Sequence, residues 1–109
     1  MCVPLRGSLA TMRVTERAHQ SVRAVVRPGD HVVDATAGNG HDTLFLVRLV
    51  GPDGRVIAFD VQEEAIAATR GRLAANGIEE GRVFFVNGSH TMLRQHVDRP
   101  VAVVMFNLG

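Results

Sequence analysis

Apolar residues at positions 14, 18, 22, 25 and 26 recur at helical spacing, which predicts a first helix over 14–26 with one buried face. Arg13, Arg17, Arg23 and Arg27 fall largely outside that face. Pro28-Gly29-Asp30 stops the helix and turns the chain. The run His31 to Thr36 then reads as a short strand buried on both sides, as in a parallel sheet. Ala37-Gly38-Asn39-Gly40 is a flexible turn, and 41–50 predicts a helix with Asp42 favouring its positive N-terminal end. After the breaker Gly51-Pro52-Asp53-Gly54, R-V-I-A-F-D at 55–60 is a second strand. A helix over 62–76 carries Glu63 and Glu64 in its first turn, Arg70 and Arg72 nearer its end, and Asn76-Gly77 as its stop. A third strand at 82–86, a short helix at 91–96 and a fourth strand at 101–106 complete the pattern.

Such alternation implies an α/β fold: a helix followed by four parallel strands with crossover helices, in sheet order 3-2-1-4. Residues 1–12 read as a ragged N-terminal lead, with Met12 an alternative start, and 13–109 as one domain. In that order the fourth strand is an edge, yet V-A-V-V-M-F is too apolar to face solvent there. Either another chain covers it, as in a homodimer paired through this edge, or the sequence is the front portion of a longer domain.

Composition narrows the chemistry. All 12 basic residues are Arg, so mechanisms that need a lysine, a P-loop phosphate cradle or a Schiff base among them, are excluded. Cys2 is the single cysteine, which rules out an internal disulfide and a cysteine zinc cluster and fits a reducing cytoplasm. Five histidines at scattered spacing do not make a zinc site; His19 is expected to face solvent, and His31 and His96 to sit near element ends. No apolar run approaches the ~20 residues that span a bilayer. A net charge of +1 gives no general case for nucleic-acid binding. The first 30 residues are nevertheless basic: Arg6, Arg13, Arg17, Arg23 and Arg27 against Glu16 and Asp30. That cluster is either a solvated helix face or a contact for an RNA backbone.

The central chemical signal is Asp34-Ala35-Thr36-Ala37-Gly38-Asn39-Gly40, between a strand and a helix. Glycines there admit a ligand to the backbone, and the helix start offers free N–H groups. Asp60, at the tip of the next strand, can accept both hydroxyls of a ribose, or cap the helix that starts near Gln62. Together they describe a nucleoside-cofactor site. A dinucleotide fingerprint wants a third glycine where Thr43 stands, so S-adenosylmethionine, which has no pyrophosphate, suits the segment better than NAD.

The pieces V-V-D-A-T-A-G-N-G-H-D-T-L-F-L (32–46), A-F-D-V-Q (58–62), S-H (89–90) and F-N-L-G (106–109), in that order, carry a more specific likeness. The chain resembles a small bacterial family of class I S-adenosylmethionine-dependent methyltransferases, long labelled rRNA methylases and assigned to the 5-aminomethyl group of wobble (2-thio)uridine in tRNA. The resemblance covers 14–109 and implies a Rossmann-like fold, present in its N-terminal part, S-adenosyl-L-methionine as cofactor, and an RNA substrate, tRNA first among them. By the same resemblance Asp34, Gly38, Asn39 and Gly40 hold the methionine part of the cofactor. Asp60 binds the ribose with Gln62 close by, and Ser89 and His90 flank the adenine. Asn107 lies near the transferred methyl and the acceptor, as the candidate catalytic residue. Asp42 belongs to the motif either as a cofactor contact or as a stabiliser of the helix N-terminus. Family members continue past N-L-G into three further strands, so the resemblance implies an incomplete substrate pocket here. Two other functions stay open at this point: an NAD-binding oxidoreductase domain, and an interaction module that pairs through its fourth strand.

Overall fold

The computed structural model describes residues 2–4, 16–97 and 99–106. Its elements are β1 (Cys2–Pro4), α1 (Glu16–Val25), β2 (His31–Asp34), α2 (His41–Val50), β3 (Arg55–Asp60), α3 (Glu63–Ala75), β4 (Val83–Asn87), α4 (Leu93–His96) and β5 (Val103–Met105). Single 3-10 turns at Glu80–Arg82 and His90–Met92 lead into β4 and α4. The sheet runs β1-β5-β2-β3-β4. Its last four members are the parallel order expected from the alternation, with Val33 opposite Ile57 and Val104, and Ala58 opposite Phe85.

Side chains alternate across the strands and so build two cores. Val32, Val56, Ala58, Val83, Val103 and Met105 point to the face covered by α1, α2 and α3, where Val22, Leu46, Val47, Val50 and Leu73 bury against them. Val33, Ile57, Phe59, Val86 and Val104 point the other way, to a thinner cover of Met92, Leu93 and Val97. Phe84 on that side remains 51% exposed, beside a cavity of about 430 Å³ that reaches from His31 and Arg55 to His96 and Val101.

The β4-to-β5 crossover thus uses the opposite face from the crossovers before it and returns the chain to the far side of β2. The winding reverses between β2 and β5, and the crevice at the carboxyl ends of such strands is where open α/β sheets bind ligands.

One expectation is corrected. The fourth parallel strand, β5, is not an open edge: Cys2, Val3 and Pro4 pair antiparallel with Met105, Val104 and Val103. The lead over 1–12 therefore contains a strand, and pairing of two copies through that edge loses its basis. The apolar run 101–105 is buried throughout, as a strand with neighbours on both sides requires.

Candidate functional site

The site begins at the end of β2. Asp34 is 1% exposed; its Oδ1 accepts from the Thr36 N–H at 3.1 Å and its Oδ2 from the Thr43 hydroxyl at 2.7 Å. Burial removes water from the charged form and pushes this carboxyl up from 3.8 to about 7, against the Thr43 and Thr36 hydrogen bonds that lower it; the charges of Asp42 and Asp60 push the same way as burial. Thr43, which stands where a dinucleotide fingerprint has its third glycine, is wholly buried and anchors the first turn of α2 to β2 through this bond.

Between them the chain makes a tight loop tied to both neighbouring strands, Ala35 N–H to the Met105 carbonyl at 2.7 Å and Ala37 N–H to the Phe59 carbonyl at 2.8 Å. Gly38 at φ 57 and Gly40 at φ 88 take the left-handed backbone that side chains disfavour. The two glycines serve different ends. A Cβ on Gly38 would meet nothing nearer than the Thr36 carbonyl at 3.9 Å, so the loop's backbone there is open to a ligand. A Cβ on Gly40 would lie 2.9 Å from the Cα of Thr69, because α3 packs directly on the loop. From α3, Thr69 donates its hydroxyl to the Gly38 carbonyl at 3.1 Å, and Arg72 donates Nε to the Asn39 carbonyl at 2.7 Å. Gly40 caps α2 without a side chain, so the first-turn N–H groups of that helix lack a side-chain acceptor and form a positive end at the loop.

Asp60 closes the arrangement from the end of β3. Its Oδ2 accepts from the Gly38 N–H at 3.0 Å and its Oδ1 from the Gln62 N–H at 2.9 Å. A carboxylate offers about four acceptor positions, so this half-buried group keeps lone pairs for a further ligand. Val61 follows it with 67% of its surface exposed. The Asn87 amide holds this corner by donating to the Asp60 and Val61 carbonyls at 3.1 and 3.2 Å.

The structure thus brings Asp34, Gly38, Asn39, Gly40, Asp60 and Gln62 together at the strand ends. Ser89 and His90 stand beyond β4 on the same rim. The Ser89 hydroxyl caps its turn by accepting from the Thr91 N–H at 2.9 Å, and the exposed His90 ring meets Phe106 edge-on at 4.9 Å. Asp42 is placed differently. Its carboxylate is 2.7 Å from His19 Nε2 on α1, and His19 stacks on Phe45 at 4.0 Å. His19 therefore faces a partner instead of solvent, and Asp42 links two helices. Asn107 lies outside the described residues. No group of metal-ligating side chains occurs among the described residues. Among them, too, no helix is long and apolar enough to cross a membrane.

Thr69, Arg72 and Asn87 escape the motif reading. Thr69 carries a signal even so: it interrupts the stripe of Ile66 and Leu73 on the buried side of α3, and a polar residue in such a stripe has a hydrogen bond to make.

Comparison with known proteins agrees with this geometry. Residues 56–109 match the family model described as Putative rRNA methylase. A chloroplastic tRNA (mnm(5)s(2)U34)-methyltransferase of Arabidopsis thaliana is 38% identical over 106 residues, which cover 89% of this chain and 39% of that protein. A crystal structure described as that of a putative rRNA-methylase from Clostridium thermocellum superimposes with TM-score 0.84 at 42% identity, covering 93% of this chain and 54% of that one. A protein from Streptococcus mutans described as a putative methyltransferase, crystallised in complex with SAH, gives 0.77 at 34% identity over 92% of this chain and 54% of its own. The chain spans 39–54% of the length of these relatives. With the motif, the sheet order and the strand-end site in agreement, the chain belongs to the rRNA methylase family, within the Rossmann-like class I methyltransferases.

Proposed function

We propose that this chain is the cofactor-binding part of an S-adenosylmethionine-dependent RNA methyltransferase, and that its target is the 5-aminomethyl group of wobble (2-thio)uridine in tRNA. The observation that carries the reading is Asp60: a strand-end carboxylate fixed by the Gly38 and Gln62 N–H groups with lone pairs to spare, which is what a ribose diol needs. The chain's likeness to a tRNA (mnm(5)s(2)U34)-methyltransferase and to a methyltransferase crystallised with SAH supports the cofactor and the class of substrate.

In this reading the uncapped start of α2 holds the carboxylate of the methionine part, and the space beside Gly38 admits it. Asp60 takes the ribose hydroxyls, while Val61, Ser89 and His90 border the base. Bound S-adenosylmethionine supplies a methyl group on a sulfonium, and the protein's task is to align it with the acceptor nitrogen. That nitrogen attacks only as the neutral amine, so its surroundings must remove water or accept its proton. Asn107 orients the amine through its side-chain carbonyl.

Calorimetric titration with S-adenosylhomocysteine tests the proposal, and suits a chain with no Trp and no Tyr. Saturable binding that Asp60→Ala abolishes is expected, followed by methyl transfer to tRNA bearing the aminomethyl group. A folded chain that binds none would overturn the enzyme reading.

A further inference from the structure

The α1–α2 side of the molecule carries a groove that the cofactor seat does not use. Arg23 of α1 and His41, Leu44, Phe45, Arg48 and Leu49 of α2 line a space of about 330 Å³. Its walls are cationic. The Arg23 guanidinium lies 5.1 Å from the centroid of Phe45, whose ring is held in place by the stacked His19. Arg48 donates Nη2 to the Asn76 side-chain oxygen at 3.0 Å, a neutral partner that leaves its charge uncompensated. Arg23, His41 and Arg48 are all exposed, and the ion pairs among the described residues, His19–Asp42 and Arg70–Glu80, involve none of them. The nearby carboxylate, Asp42, is turned inward to His19. Leu44, Phe45 and Leu49 give the groove an apolar floor.

Position selects the ligand. His41 follows Gly40 directly, so the groove starts at the glycine loop and leads away from it along α2. A strand lying in it therefore abuts the cofactor loop. We infer that the groove grips a single-stranded segment of the RNA substrate beside the target nucleotide. Arg23 and Arg48 meet consecutive phosphates, and a base rests on the apolar floor. The inference rests on the RNA-methyltransferase reading above and adds the surface that reading lacks. An acidic protein segment would satisfy the arginines but leave the apolar floor and the continuity with the loop unused.

The test is fluorescence anisotropy with a labelled anticodon stem-loop RNA, run beside S-adenosylhomocysteine calorimetry on each variant. R23Q/R48Q is expected to bind the RNA about 10-fold or more weakly at low salt. Its slope of log affinity against log salt should fall by roughly 0.7–0.9 per arginine. R55Q/R94Q removes the same charge from exposed sites at the start of β3 and in α4, and should bind like the unaltered chain. Calorimetry should be unchanged in both, which shows that they fold. Equal losses in the two double variants would mean that net charge alone is read, and would overturn the groove. Unaltered RNA affinity in R23Q/R48Q would overturn it and leave the RNA substrate standing. Binding of S-adenosylhomocysteine without any RNA binding by the unaltered chain would remove both. Poly-glutamate competing as well as RNA at equal charge would assign the groove to acidic proteins instead.

Discussion

Replacing Gly40 by alanine asks whether the loop is held by dihedral preference or by contact. Gly38 and Gly40 both have positive φ, 57° and 88°, so alanine at either incurs about 1–2 kcal/mol of left-handed strain. Part of that is offset by the smaller entropy of the unfolded alanine chain, about 0.4–1 kcal/mol. Gly38→Ala meets only the Thr36 carbonyl at 3.9 Å and should therefore cost about 1 kcal/mol. Gly40→Ala also drives a methyl to 2.9 Å from the Thr69 Cα, which is backbone in the middle of α3 and cannot swing aside. Overpacking of that kind adds about 1–3 kcal/mol, for a total of about 2–4. In a domain of this size the two variants should lose roughly 4–8 °C and roughly 10–30 °C of Tm, read by far-ultraviolet circular dichroism. Thr69→Ser deletes the methyl that would lie 3.1 Å away but leaves the Cα, so it should not rescue Gly40→Ala. Equal losses at the two glycines, or rescue by Thr69→Ser, would refute the claim that α3 backbone sets the position of the loop.

Further outcomes follow from the same site. Because the Asp34 carboxyl is raised to about 7, the folded chain keeps a proton that the unfolded chain has already lost between about pH 4 and pH 7. Stability on this account falls as pH rises through that window and levels off above it. Asp34→Asn should flatten a slope of up to about 1.4 kcal/mol per pH unit in urea denaturation, and an unchanged slope would place the proton elsewhere. A double-mutant cycle of His19→Phe and Asp42→Asn should show coupling of about 1–2 kcal/mol, since each side chain is the other's partner at 2.7 Å; coupling near zero would mean that α1 docks without the pair. Thr69→Val loses the hydroxyl that holds the Gly38 carbonyl and should cost about 1 kcal/mol together with weaker S-adenosylhomocysteine binding. If calorimetry shows no change in affinity, α3 does not position the cofactor loop.

The order of elements and the residues at the strand ends were legible because parallel topology leaves little freedom. Once β2 and β3 are read as adjacent parallel strands, Asp34 and Asp60 must emerge on the same rim, and the glycines between them must turn the chain there. What escaped depends on contacts between elements that periodicity does not specify. His19 reads as a solvated helix position until α1 is seated on α2, where Phe45 and Asp42 receive it. Thr69 acts through the backbone of a loop some thirty residues earlier. β1 is three residues long, too short to alternate, and its partner β5 is at the other end of the chain.

That last pairing bears on how the molecule assembles. The ladders β2–β3 and β3–β4 join segments separated by one helix, as Val33 with Ile57 shows, and can form as the chain is made. β1 must wait: Val3 meets Val104, so closing this ladder fixes a loop nearly as long as the sequence and can follow only after β5 has docked on β2. β1 is thus the first of the described strands in sequence and the last to find its place. In hydrogen exchange the outer ladder should open first, at a free energy well below that of the β2–β3 centre, so that β1 behaves as a late latch on a sheet already folded.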